Sequence, residues 1–349
     1  MYDWMHVLVA SGGVAQYEIN EFVKALGCLG VQMGSLDCFA ASIAVPKSRT
    51  KLPKDFFQTR VNDEDDTHVK CFAADVLVAL PILVMFSERF IEPAGQLPEH
   101  CTCLKLMANI VGLMSQSARV LGYIDELQEY IDKHGFLFQK LYPKCVKPKF
   151  HWLFHLPQQF KTFAVNLSCF SPERKHRAVK AIASHVFSDH IGQNVAMRVC
   201  YETISNFQSK TIWKGTFLAG RRRQLKDGAT VLSFWNKEVV NVWSSAELKS
   251  PTGSSFVGDV VFAPTVGKVF IPQVFMEVLL LSGERKFMAQ VATHNFKNCN
   301  LFEASCTSSL VLWEDSFKAV MSTMASCGSI QIFLGSIDQE SLRLAQACS

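Results

Sequence analysis

The residues of this chain best suited to chemistry are two histidines one helical turn apart, His151 and His155, and a lone carboxylate, Glu173, followed by Arg174, Lys175, His176 and Arg177. All lie in 147–180, KPKFHWLFHLPQQFKTFAVNLSCFSPERKHRAVK. On a helix over 150–163 both imidazoles would project from one face, able to hold one zinc ion or simply to pack and hydrogen-bond beside Trp152 and Phe154. A tetrahedral zinc site needs further ligands. Cys101, Cys103, Cys145 and Cys169 are available, none with the two-residue gap typical of a zinc knuckle. A carboxylate beside several cations suits a divalent ion working on a polyanion, because the cations gather phosphates while the carboxylate holds the metal. The same residues also read as an ordinary helix start. Ser171 is a good N-cap, Pro172 suits the first turn and Glu173 faces the positive end of the helix dipole, with Arg174, Lys175, Arg177 and Lys180 as a solvated face. Near the start of the chain, Asp3-Trp4-Met5-His6 sets an acid and a histidine three apart, or is no more than a frayed end.

The elements that must position these groups fall into two regions. From Tyr17 to about Gln208, apolar residues recur at three- and four-residue spacing, as in Ile19, Phe22, Val23 and Leu26, or Leu104, Met107, Ile110, Val111 and Met114. That period predicts packed helices, most simply a bundle. Val45 to Lys70, with its acidic run Asp63-Glu64-Asp65-Asp66, reads as a long exposed connection. After Gln208 short β-rich stretches take over, at 231–234, 239–242, 256–262, 268–270, 275–281 and 310–312. The expected fold is therefore α+β: a helical region over 1–212 and a small β barrel or sandwich over 213–349. Trp235, Trp243 and Trp313 are expected in its core.

Bulk composition narrows the class. With 49% hydrophobic and 19% charged residues the chain is globular, and a formal net charge of only +4 means that any affinity for nucleic acid must come from local clusters. Lys180 and its neighbours form one cluster, and Arg221-Arg222-Arg223 with Lys226 forms another, readable as a phosphate patch or a nuclear-import signal. Twelve scattered cysteines without a basic leader fit reduced thiols in a cytosolic or nuclear setting. The most apolar run, Phe72 to Phe86, contains Asp75 and Pro81 and is too short to span a membrane, so it reads as a buried core helix.

Taken in order, Asp3 to His6, then His151-Trp-Leu-Phe-His155-Leu-Pro157, then Cys169-Phe170-Ser171-Pro172-Glu173-Arg174 resemble the C-terminal half of the transposases of CACTA-type DNA transposons. The likeness covers roughly 1–210, with 147–180 its specific part. It is also similar to the catalytic end of the V(D)J recombinase family, in which a histidine pair precedes the last catalytic glutamate at about this interval. The resemblance implies the last part of an RNase H-like core of DDE type, in which two aspartates and a glutamate hold two Mg2+ or Mn2+ ions for strand cleavage and transfer. Glu173 would be that glutamate. Arg174, Lys175, Arg177 and Lys180 would follow the DNA backbone. His151 and His155 would be half of a structural Zn2+ site whose other half is a cysteine pair. In the family both catalytic aspartates and the cysteine pair lie upstream of the Asp-x-x-His element, so Asp3 and His6 match an accessory motif. The expectation is thus a nuclear DNA-binding chain, inactive in catalysis by itself and able to self-associate. The alternatives are a non-catalytic chromatin-associated protein of the same descent, or a β-rich protein-interaction module.

Overall fold

The structure, a computed structural model, describes residues 2–61, 67–115, 121–164, 166–169, 179–184, 190–208, 215–225, 234, 239–250, 253–298, 301–314, 316–324 and 329–334. The helices are α1 (Trp4–Leu8), α2 (Val14–Cys28), α3 (Met33–Ser42), α4 (Phe56–Arg60), α5 (Ala73–Phe86), α6 (Pro98–Met114), α7 (Ile124–Leu141), α8 (Pro148–Phe163) and α9 (Ile191–Gln208). The expected α+β division holds: helices fill the N-terminal region and antiparallel sheets the C-terminal one.

Helix α5 shows why the apolar run at 72–86 is a core helix. Almost every side chain from Val76 to Phe86 is buried, and Asp75 turns back to accept from the Phe72 N–H at 3.0 Å, capping the first turn. Pro81 has no N–H to give the carbonyl four residues earlier. That carbonyl, Leu77 O, instead receives the Arg49 guanidinium at 3.4 Å. Helices α2 and α6 pack on α5, α7 on α6, and α8 on α7. Phe138 of α7 and Phe150 of α8, both buried, meet with ring centroids 4.3 Å apart.

The connection over 45–70 is not exposed throughout. It contains α4, whose Phe56 and Phe57 are fully buried. The α4 N-terminus is held by Asp37, which accepts from the Phe57 N–H at 2.9 Å and the Gln58 N–H at 3.2 Å. Two adjacent phenylalanines inside a polar stretch were the signal that this segment returns to the core. The acidic run lies outside the described residues.

The strands are β1 (Phe217–Ala219), β2 (Arg223–Gln224), β3 (Val239–Ser245), β4 (Glu247–Ser250), β5 (Gly253–Phe256), β6 (Val261–Ala263), β7 (Lys268–Leu280), β8 (Arg285–Asn298), β9 (Leu301–Leu312), β10 (Lys318–Ala319), β11 (Ser322–Met324) and β12 (Ile330–Ile332). The long strands β7, β8 and β9 form an antiparallel meander, and β7 pairs with β6 along one half and with β3 along the other. The stretches 268–270 and 275–281, read separately in the sequence, belong to one strand. Pro272 cannot donate to a ladder, so the pairing register shifts between Pro272 and Val274 while the strand continues. Strand β8 gave no signal of its own, and the stretch 231–233 lies outside the described residues.

Among the described residues no sheet closes into a barrel. A second sheet, ordered β1-β4-β5, shares a core with the large one: Leu218 and Leu248 join Phe270, Phe275, Val291, Trp313 and Phe317. Trp313 is in that core, edge-on to Phe275 at 5.1 Å. Trp243 is not, being 37% exposed on β3, and Trp235 lies outside the described residues.

The chain forms two compact units, Met1–Asn166 with Thr216–Ser349, and Leu167–Gly215. In the first, the segment after α3 is joined to the β region. Ala44 and Ser322 exchange backbone hydrogen bonds at 2.7 and 3.1 Å, the Lys47 N–H donates to Asp259 at 3.1 Å, and Lys47 Nζ donates to Val257 O at 2.5 Å. Of the second unit, α9 is the principal described element.

Candidate functional site

Asp3 and His6 are part of a built corner of the fold. Asp3 is the N-cap of α1, its carboxylate accepting from the N–H groups of Met5 at 3.3 Å and His6 at 3.1 Å, and it also pairs closely with the His6 ring. Trp4, Met5, Val7 and Leu8 are buried, which excludes the frayed-end reading. The corner is docked on α8. Gln159 receives the Tyr2 N–H at 2.5 Å and donates to Tyr2 O at 2.8 Å, and the Tyr2 ring stacks on Trp152 at 5.6 Å and on His155 at 5.9 Å.

His151 and His155 do project from one face of α8, both exposed, with their Nε2 atoms 2.9 Å apart. That spacing is a hydrogen-bond distance and lies near the edge of about 3.3 Å expected for two nitrogens on one tetrahedral zinc. The described residues supply no further ligands. Among the described residues, the pair joins no group of three or more His, Cys, Asp or Glu ligand atoms within 4.8 Å of one another. Cys101, Cys103 and Cys145 are buried in the helical region. The described residues therefore do not fit the four-ligand zinc site that the resemblance implies.

Glu173, Arg174, Lys175 and Arg177 lie outside the described residues, and with them any Mg2+ or Mn2+ site; Lys180 is described and exposed. Arg221, Arg222 and Arg223 are all exposed, yet they differ in what they do. Arg222 donates to Leu218 O through Nε at 3.1 Å and Nη2 at 2.8 Å, and its Nη1 stands 3.6 Å from the buried Glu277 carboxylate, which Arg285 also reaches at 3.3 Å. It ties the small sheet to the large one. Arg222→Ala is expected to lower stability by about 1–2 kcal/mol and Arg221→Ala by less than about 0.5 kcal/mol. Urea denaturation of the two variants checks this; equal midpoints would assign Arg222 to the solvated surface.

One polar group was not foreseen. Glu18 of α2, Cys103 of α6 and His134 of α7 are each fully buried, and their ligand atoms lie within 4.8 Å of one another. Glu18 Oε2 is 3.0 Å from His134 Nε2 and accepts the Cys103 thiol at 3.5 Å. Glu18 Oε1, His134 Nδ1 and the hydroxyl of the neighbouring Tyr142 are buried without a hydrogen-bond partner. Burial, reinforced by the Glu18 charge, pushes both the Cys103 thiol and the Tyr142 hydroxyl well above their ordinary ranges, so neither is an acid or nucleophile near neutral pH. The sequence signal existed: Glu18 and His134 each fall among apolar residues on the inward face of their helices.

No family model, curated protein or solved structure matches the chain. Among the described residues no helix is long and apolar enough to cross a membrane.

Proposed function

We propose that the chain is the C-terminal part of a DDE transposase of CACTA lineage that acts, as these 349 residues, in binding DNA. What supports the reading is the docking of α1 on α8. Tyr2 and Gln159, 157 residues apart, join the Asp3–His6 element to the His151–His155 helix, so two pieces of the resemblance meet on neighbouring elements of one fold. On this reading the helical region comprises the insertion and the last helices of an RNase H-like core, Glu173 is the catalytic glutamate of the ancestor, and the β region is a small sandwich. Arg174, Lys175, Arg177 and Lys180, with Arg221 and Arg223, contact phosphates in a nuclear setting.

The test is a salt titration of duplex DNA binding. Binding is expected to be insensitive to sequence and to chelator, with log affinity falling linearly against log salt. Replacing Arg174, Lys175 and Arg177 together by alanine is expected to reduce that slope by about 2.7 and to weaken binding by on the order of a hundredfold in low salt. An unchanged slope in the triple variant would sink the assignment of the basic run, and no measurable binding by the parent chain would sink the function.

A further inference from the structure

We propose that Glu18, Cys103 and His134 bind one zinc-class divalent cation in the centre of the helical region. The three side chains come from three different helices, α2, α6 and α7, and converge where no water reaches them. Their types form a mixed carboxylate, thiolate and imidazole set of the kind that suits zinc. The spacings agree as well. Tetrahedral zinc with bonds of about 2.0 Å to oxygen and nitrogen and 2.3 Å to sulfur places oxygen and sulfur about 3.5 Å apart, and oxygen and nitrogen about 3.3 Å apart. Here the Glu18–Cys103 distance is 3.5 Å and the Glu18–His134 distance 3.0 Å.

The second observation is the unpartnered Glu18 Oε1, fully buried beside the other two groups. An ion pair with protonated His134 satisfies one carboxylate oxygen and leaves the other bare, which is costly in a dry interior. A dication chelated by the carboxylate, its two oxygens sharing one vertex, engages both. With Glu18 ionised, Cys103 as thiolate and His134 neutral, the charges sum to zero around a doubly charged ion. Binding releases the Cys103 proton, and the second imidazole proton where His134 carried one. The remaining position falls to the Tyr142 hydroxyl, also buried and unpartnered, or to one water carried in with the ion during folding. Because the site is sealed, the metal enters as the chain folds. The site is separate from His151 and His155 and does not depend on the transposase reading.

The experiment refolds the full chain carrying His151→Ala and His155→Ala in the presence of zinc or cobalt, then removes loosely held metal by exhaustive dialysis. The expected result is one equivalent of metal per chain, a thiolate-to-cobalt charge-transfer band in the near ultraviolet, and a thermal midpoint higher than that of protein refolded with chelator. Cys103→Ser in the same background is expected to lose the band. Three outcomes overturn the proposal: no retained metal, retained cobalt without a thiolate band, or a band that survives Cys103→Ser. The first two are read on protein with an intact core, so a serine variant that fails to fold leaves the proposal open to refutation.

Discussion

Gly13→Ala is expected to lower the stability of the chain by about 3 kcal/mol or more, one of the largest effects of any single methyl group added to it. The reason is space, because the Gly13 backbone at φ −73 is one that any residue adopts. A Cβ there would sit 2.4 Å from Leu8 O, 2.5 Å from Leu8 C and 2.8 Å from Ala10 O. All three are backbone atoms of the α1 end and of the turn that leads into α2. A side chain could swing aside, but these are main-chain atoms of a segment held by hydrogen bonds on either side: Gly13 N–H to Ala10 O at 2.7 Å and Ala10 N–H to Met5 O at 2.8 Å. Relief requires α1 to move off α2, and α1 carries Asp3 and His6. Neighbouring Gly12 is the reverse case, with φ +66 and no atom nearer than 3.9 Å to an added Cβ. Urea denaturation checks the prediction; a loss below about 1 kcal/mol would show that the corner yields.

His134→Leu, in protein refolded without metal, is expected to cost about 3–5 kcal/mol, because it removes the imidazole that faces the fully buried Glu18 carboxylate at 3.0 Å. The double change Glu18→Met with His134→Leu is expected to recover most of that loss, since an apolar pair of similar volume needs no solvation. The comparison separates charge from packing. Loss of shape alone would make the double variant no better than the single one, and denaturation midpoints of the three proteins decide it. The same double variant would be expected to lose the zinc-dependent rise in thermal midpoint, so the two uses of the cluster can be read on one set of proteins.

Much of the architecture is legible in the chain because it is written in local periods. Apolar residues at three and four positions mark α2, α6 and α7, and the stretch 72–86 announces a buried helix by composition alone. Sheet pairing is less legible because register depends on distant partners. Pro272 made one strand look like two, and β8, paired on both sides, carried no turn signal within it. Of the site residues, the helical placement of His151 and His155 could be read from their spacing. The docking of the Asp3 corner could not, since it joins the Tyr2 backbone to Gln159, 157 residues away in the chain. Arg222 looked like its neighbours in the sequence, and only the burial of Glu277 distinguishes it. For Glu18, Cys103 and His134 the helical period could show burial but not convergence, since the three residues meet from three separate helices.

The attachment of Ala44 to Ser322 and of Lys47 to Asp259 bears on the timetable of synthesis. Lys47 and Asp259 are 212 residues apart, and at ribosomal rates of 5–20 residues per second the partner emerges roughly 10–40 s after Lys47 does. During that interval the helices can assemble through their local contacts, while the backbone groups at 44–47 await the strands that will cover them. The helical half is thus born with an open seam. It also means that a gene cut between the two halves would yield a helical piece lacking its own closure.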